Sequence, residues 1–242
     1  MAKVLIEHII HLIIVLPIIL LTLKNRKADT MKILLIFMVF FLVNSILLNL
    51  PLEYKELRII NGKWNWTGKI FAIFGSFVFL LLYRKYDLKD YYLTLNQNKP
   101  FLKKGILIIT IILLVEFVMN FIYNPPEKWN TETILFQLTM PGIDEEIAYR
   151  GIMLGLLTKI LNPFFTKTFF HPAILVTGIL FGLAHGLFLT NSFELSFKSS
   201  PFFFTMILGI IWSWITIKSG SILLALISHN LGNVSGKLIS MR

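Results

Sequence analysis

The sequence contains no cysteine, which excludes disulfide bonds, cysteine nucleophiles and cysteine metal ligands. It also has little charge: 15% of its 242 residues are charged, whereas about a quarter are charged in an average soluble domain. Apolar residues take their place, since 56% of the chain is hydrophobic and the mean hydropathy is +0.75. This composition predicts an integral membrane protein with several spans.

The formal net charge of +10 could indicate a nucleic-acid partner. The basic residues, however, cluster in short connections between apolar stretches, as Lys and Arg do in the loops of membrane proteins. We therefore expect the lipid bilayer to surround this chain and no nucleic acid to bind it.

Eight stretches approach the roughly 20 mostly apolar residues that a helix needs to cross the hydrocarbon core. Only helices are plausible, because the strands of a membrane barrel would alternate in hydropathy. The predicted fold class is all-α, a polytopic membrane protein of about eight transmembrane helices with its active site in the C-terminal bundle. The stretches are Val4–Leu23, Ile33–Leu50, Ile70–Tyr83, Gly105–Tyr123, Thr133–Leu157, Pro172–Leu189, Phe202–Ile217 and Ser221–Ile239.

The segment NPPEKWN, at residues 124–130, is the clearest interruption of this pattern. It predicts a boundary between about four N-terminal transmembrane helices, residues 1–125, and a C-terminal part, residues 130–236, that carries the polar residues described next. The first stretch lacks a small-x-small cleavage site, so we interpret it as an uncleaved span and not as a signal peptide.

Polar residues inside predicted spans are the main functional signal, because ionisable groups in a membrane are costly and usually functional. The C-terminal half holds three groups of them. They are Glu145, Glu146 and Arg150 in PGIDEEIAYRG; His185 in FGLAHG; and His229, Asn230 and Asn233 in HNLGN.

Helical spacing assigns different roles to the two adjacent glutamates. Glu146 and Arg150 are four residues apart, which favours an ion pair. Glu145 is rotated about 100° from Glu146, so we expect it to be free to react. Pro141 and Gly142 predict a helix interruption just before them, which would put both glutamates in a first helical turn. The helix dipole would then favour their ionised forms and burial their neutral forms, and the sequence leaves open which effect wins.

The three groups occupy comparable depths if the spans alternate in direction. Glu145, His185, His229 and Asn233 could therefore converge. A carboxylate with a neutral imidazole can take a proton from water, and a second imidazole with an amide can stabilise an oxyanion. This set suits peptide-bond hydrolysis. A metal interpretation remains open, since Glu145, His185 and His229 would also make an open site for zinc or iron.

Three other intramembrane protease chemistries lack their sequence signatures. The chain contains no His-Glu-x-x-His pair, no Gly-x-Ser-Gly and no Gly-x-Gly-Asp. The familiar zinc proteases, the serine proteases and the aspartyl proteases are therefore disfavoured.

The remaining motifs resemble those of one family. EEIAYRG resembles the Glu-Glu-x-x-x-Arg motif of the CPBP family, which comprises CAAX-processing proteases and bacteriocin-processing (Abi) enzymes. FGLAH is similar to that family's Phe-x-x-x-His, HNLGN to its His-x-x-x-Asn, and NWTGK, at residues 65–69, to a sequence found before an early span in bacterial members. The motif-bearing part spans roughly residues 130–236.

The resemblance implies a membrane-embedded glutamate-dependent endopeptidase, similar to type 2 CAAX prenyl proteases, whose substrate is a peptide or a membrane protein. Glu145 would activate water with help from His185. His229 and Asn233 would form the oxyanion hole. Glu146 and Arg150 would support the first motif. The resemblance implies no cofactor, although the family is often described as metal-dependent and a divalent ion such as zinc stays possible.

Other polar residues receive simpler interpretations. We expect Asp144 to be a helix N-terminal residue. Glu116 and Asn120, four apart, could line a cavity, but the sequence favours a structural hydrogen-bonded pair. A polar group near the start of the chain is expected to be interfacial or cavity-lining. Its members are Glu7, His8 and His11.

The alternative to an enzyme is a non-catalytic membrane protein that acts as a scaffold or gives bacteriocin immunity. Such a protein has no need of an intact set of four candidate catalytic residues, which argues against this alternative. The sequence does not name the substrate, and the orientation in the membrane is also open. Basic residues are slightly more frequent in the connections after odd-numbered stretches, which favours both termini outside the cytoplasm.

Overall fold

A computed structural model describes residues 1–163 and 171–241. Each of the eight apolar stretches forms a helix or most of one, so the prediction of an all-α membrane protein is confirmed. The fifth stretch is one continuous helical segment of three parts: α5, a π-helix and α6. The helices are α1 (Ala2–Thr22), α2 (Ala28–Glu53), α3 (Trp66–Leu82), α4 (Lys99–Tyr123), α5 (Thr131–Glu145), the π-helix (Glu146–Met153), α6 (Leu154–Ile160), α7 (Pro172–Gly186), α8 (Ser199–Ser219) and α9 (Leu223–Ser240).

Four helices in the described part of the chain are long and apolar enough to cross a membrane: α1, α2, α4 and α8. Helices α3 and α7 are apolar but shorter. The chain is therefore an integral membrane protein, whereas the predicted number of eight spans stays a prediction. The segment 124–130 contains no regular secondary structure, as the sequence predicted.

The C-terminal helices form the centre of the bundle. Helix α7 is buried along most of its length and packs most extensively against α8, while α9 packs against both α4 and α5. Small residues let membrane helices approach closely, and α7 carries glycines at four-residue spacing, Gly178, Gly182 and Gly186, on the side that meets α8. The N-terminal pair α2 and α3 packs on this centre, and α3 also contacts α5.

The predicted interruption at Pro141 and Gly142 is wrong, because α5 continues through both residues. Proline lacks an N–H and weakens a helix, but α9 supports this turn: the N–H of Gly142 donates to the side chain of Asn230 at 2.8 Å. The irregularity instead comes at the two glutamates, where the helix widens into the π-helix. Glu145 and Glu146 therefore lie in mid-helix and not in a first turn.

The sixth stretch also ends earlier than predicted, since α7 stops at Gly186. The following residues form a small antiparallel hairpin of β1 (Leu187–Leu189) and β2 (Leu195–Phe197). Helix α1 holds this hairpin, because Glu7 accepts a hydrogen bond from the N–H of Leu189 at 2.7 Å and His11 contacts the carbonyl of Leu187 at 3.0 Å. These contacts satisfy backbone groups that no helix bonds.

Candidate active site

A cavity of about 440 Å³ lies between α3, α4, α5, α7, α8 and α9. Four residues proposed from the sequence line it: Glu145, His185, His229 and Asn233. They come from the end of α5, the end of α7 and the middle of α9. The structure thus brings together the four candidates, and their chemical roles stay a prediction.

Glu146 is fully buried and connects two of the motifs. Its Oε1 lies 3.2 Å from Nη1 of Arg150, which confirms the predicted pair. The same oxygen lies 2.8 Å from Nδ1 of His229. A carboxylate accepts hydrogen bonds, so Nδ1 carries the hydrogen and donates it. Glu146 therefore fixes the orientation of His229, a role that sequence spacing did not reveal.

The other ring nitrogen of His229 faces the second glutamate. Nε2 lies 3.7 Å from Oε2 of Glu145. That oxygen is shielded from solvent and has no hydrogen-bond partner among residues 1–163 and 171–241. One edge of the imidazole is thus held by Glu146, and the other is turned towards the carboxylate that we proposed as the base.

Helix α8 contributes a residue that the sequence analysis missed. The indole of Trp212 stacks on the imidazole of His229, with ring centroids 4.5 Å apart and an 18° angle between the planes. Its Nε1 donates to Oγ of Ser228 at 3.1 Å, which fixes the indole. This helix carries none of the three motifs, so only the fold could show that it completes the site.

Arg150 has no exposed surface. Its guanidinium carbon lies 4.1 Å from the ring centroid of Phe181, 5.2 Å from that of Trp212 and 5.8 Å from that of Tyr149. Such contacts stabilise a buried cation through the negative faces of the rings. The aromatic rings therefore help to hold the guanidinium in place beside Glu146.

The imidazole of His185 is also oriented by its own helix. Nδ1 lies 2.8 Å from the carbonyl oxygen of Phe181, and the two rings pack at 4.6 Å between centroids, as the spacing predicted. A carbonyl only accepts, so Nδ1 carries the hydrogen. Nε2 is then unprotonated in the neutral ring, which is the form that can accept a proton from water.

Lys69 of α3 corrects the expectation that Glu145 is free. Its Nζ donates to Oε1 of Glu145 at 2.7 Å and to Oδ2 of Asp144 at 2.8 Å. Asp144 is 2% exposed and lies in mid-helix, so its interpretation as a helix N-terminal residue is also wrong. Lys69 was visible in the sequence as the end of NWTGK, but its partners are more than 70 residues away.

Residues 127–235 match the family model of Type II CAAX prenyl endopeptidases, Rce1-like. The matched segment contains all three motifs. The match confirms the resemblance drawn from the motifs, and it supports a CAAX-type intramembrane protease. Searches of curated proteins and of solved structures gave no match.

Lys69 lies outside the matched segment, on a helix of the N-terminal half. Asn65 caps that helix by accepting from the N–H of Gly68 at 3.1 Å, and its amide donates to the carbonyl of Leu48 in α2 at 2.8 Å. These bonds fix the first turn of α3, which carries Lys69. The N-terminal helices therefore supply one cation to the site.

The arrangement of Glu145, His185 and His229 does not fit the alternative in which these three residues bind a metal ion. In the described part of the chain, no group of three or more His, Cys, Asp or Glu side chains is placed to hold a metal ion. The ammonium of Lys69 also occupies Oε1 of Glu145, and a divalent cation at the same carboxylate would be repelled by it.

A second cavity of about 240 Å³ lies on the other side of Glu145 and His185, which line both cavities. Its wall includes Glu7 and His8 of α1, so the cavity-lining interpretation of these two residues is confirmed. His11 is buried and contacts the hairpin instead. Polar residues of α2 complete the wall: Asn44, Ser45 and Asn49.

Proposed function

We propose that this protein is a glutamate-dependent intramembrane endopeptidase that hydrolyses a peptide bond in a peptide or membrane-anchored protein, in a bacterial plasma membrane. The strongest support comes from the position of Oε2 of Glu145. It belongs to a partly buried carboxylate that lines the cavity, has no hydrogen-bond partner in the described part of the chain, and lies 3.7 Å from a histidine nitrogen.

In the first step, Glu145 and His185 activate a water molecule. The water oxygen bonds to the carbonyl carbon of the substrate, and its proton passes to Oε2 of Glu145 or Nε2 of His185. Lys69 keeps the other oxygen of Glu145 occupied, so a single oxygen is presented to the water.

In the second step, His229 and Asn233 stabilise the oxyanion of the tetrahedral intermediate. His229 can donate through Nε2 only when both of its nitrogens carry hydrogen, because Nδ1 already donates to Glu146.

In the last step, the carbon–nitrogen bond breaks. The proton taken from water is returned to the leaving amine nitrogen, and the carboxyl product keeps the water oxygen. No metal ion takes part in these steps.

Comparative membrane proteomics can test the proposal without knowledge of the substrate. Cells that produce the wild type are compared with cells that produce Glu145→Gln, an isosteric change at the proposed base. We expect an uncut precursor to accumulate with Glu145→Gln and with His185→Ala. A matched control is Glu127→Gln, which removes a carboxylate at the surface that pairs with Lys237.

A purified sample then decides between an enzyme and a scaffold. Wild-type protein in lipid nanodiscs should cut the precursor, and Glu145→Gln protein of equal yield should not. Full cleavage by the purified variant would refute the mechanism. A scaffold or immunity protein would instead keep its biological function in all the motif variants.

A further inference from the structure

Glu116 of α4 is a buried carboxylate that the proposed reaction does not use. Its side chain is 7% exposed and lines the 440 Å³ cavity together with Glu145, His229 and Asn233. Within residues 1–163 and 171–241 it forms no hydrogen bond and no ion pair, although it lies within electrostatic range of His229. An uncompensated carboxylate inside a membrane protein is costly, and such groups usually mark a functional site.

The structural pair with Asn120 that the sequence favoured is absent. Oδ1 of Asn120 accepts a hydrogen bond from Asn124 at 2.9 Å, one turn further along α4. Glu116 instead faces the last motif on α9. A Cβ atom added to Gly232 would clash with Oε2 of Glu116, so the carboxylate packs directly against this glycine and would have to move for any larger residue. Gly232 directly precedes Asn233, which places Glu116 beside the proposed oxyanion hole.

The other carboxylates of this region already have cations. Lys69 contacts Asp144 and Glu145, and Arg150 contacts Glu146. Glu116 is thus the cavity carboxylate that still requires a positive partner. A carboxylate accepts hydrogen bonds and attracts cations, and a substrate group that supplies both would offset its burial.

We propose that Glu116 is a substrate-binding residue that selects a positively charged group, an ammonium or a guanidinium, close to the bond that is cut. The inference rests on the proposed endopeptidase function and adds a substrate class to it. The charge comes either from a Lys or Arg side chain of the substrate or from its terminal ammonium.

Cleavage-site profiling tests this inference. Wild-type protein in nanodiscs is incubated with a mixture of synthetic peptides that share a hydrophobic anchor and vary in sequence, and the products are identified by mass spectrometry. We expect the cut sites of the wild type to be enriched in a basic group at one fixed position. Glu116→Gln should reduce this preference by about tenfold or more, because one partner of a buried charge pair is lost.

Two variants serve as controls. Phe117→Leu changes the next residue on α4, whose side chain is 49% exposed, and it should keep the preference. Glu116→Lys should reverse it towards acidic groups. Acetylation of the peptide N-termini separates the two sources of charge. If the preference for a basic group persists after acetylation, Glu116 recognises a Lys or Arg side chain. If the preference disappears, Glu116 recognises the terminal ammonium.

The outcomes distinguish this inference from the function on which it rests. Equal preference in wild type and Glu116→Gln, or cleavage without any preference, overturns the role of Glu116 and leaves the protease intact. Absence of cleavage by the wild type overturns both.

A stability measurement separates binding from a structural role. Loss of an uncompensated buried charge should raise the unfolding temperature of Glu116→Gln in detergent, as expected for a residue kept for function. A lower unfolding temperature would show that Glu116 holds the fold together, and it would contradict the inference.

Discussion

Nζ of Lys69 lies 2.7 Å from Oε1 of Glu145, and this contact joins the two halves of the chain at the candidate site. The lysine comes from α3, and the glutamate from the segment that matches the Rce1-like family. The same ammonium contacts Asp144 at 2.8 Å. Lys69 therefore compensates two adjacent carboxylates and occupies Oε1 of Glu145, while Oε2 has no hydrogen-bond partner in the described part of the chain. We interpret it as a positioning residue.

Lys69→Met should abolish most of the activity. Without the ammonium, Asp144 and Glu145 are adjacent carboxylates with no cation between them, and one of them is expected to take up a proton. Loss of the base would lower the cleavage rate by about 10²–10⁴-fold, the usual contribution of general acid–base catalysis. The measurement is the rate of precursor cleavage in nanodiscs at saturating substrate, so that a change in kcat is separated from one in KM.

The double variant Lys69→Met/Asp144→Asn is the matched control for this prediction. It removes one carboxylate together with the cation, which leaves Glu145 alone and able to ionise. We expect a partial recovery of kcat relative to Lys69→Met. If the double variant were as inactive as the single one, charge compensation would not be the role of Lys69.

The features that the sequence predicted are local, and those that it missed depend on tertiary contacts. Apolar run length predicted where the helices lie, and four-residue spacing predicted the contact of Glu146 with Arg150. Both are local properties of the chain. Lys69 and Trp212 could not be found in this way, since their contacts to Glu145 and His229 depend on how distant helices pack.

The helix interruption was predicted wrongly for a related reason. Pro141 and Gly142 together indicate a break, but an amide from α9 supports this turn of α5. Sequence patterns contain no information about such a tertiary partner. The π-helix that follows is likewise unpredictable from propensity, and π-bulges occur frequently at functional sites.

Gly142→Ala is expected to destabilise the protein and reduce its activity. A Cβ atom there would clash with the amide group of Asn230, so this side chain would have to move and give up its hydrogen bond with the N–H of Gly142. Overpacking of this kind typically costs about 1–3 kcal/mol. Thermal unfolding in detergent measures the loss. The double variant Gly142→Ala/Asn230→Ala removes the clash and should recover part of it; no recovery would show that the contact is unimportant.

Removal of metal ions should leave the activity unchanged. The ammonium of Lys69 neutralises the carboxylate that a metal would use, and the proposed steps need no metal. Cleavage rates of wild-type protein are measured before and after treatment with a chelator, with elemental analysis of the same samples. A loss of activity that added zinc restores would contradict the metal-free mechanism.

We expect Trp212 to contribute to activity by orienting His229 and not by stabilising the overall fold. The stacked indole prevents rotation of the imidazole, so Trp212→Leu should lower kcat while the Glu146 contact keeps part of the orientation. Trp212→Phe keeps a flat ring but loses the hydrogen bond to Ser228 and part of the stacked surface, and it should retain more activity than Trp212→Leu. The comparison is made at equal amounts of folded protein, judged by thermal unfolding. If both variants lost the same activity, the hydrogen bond to Ser228 would matter more than stacking.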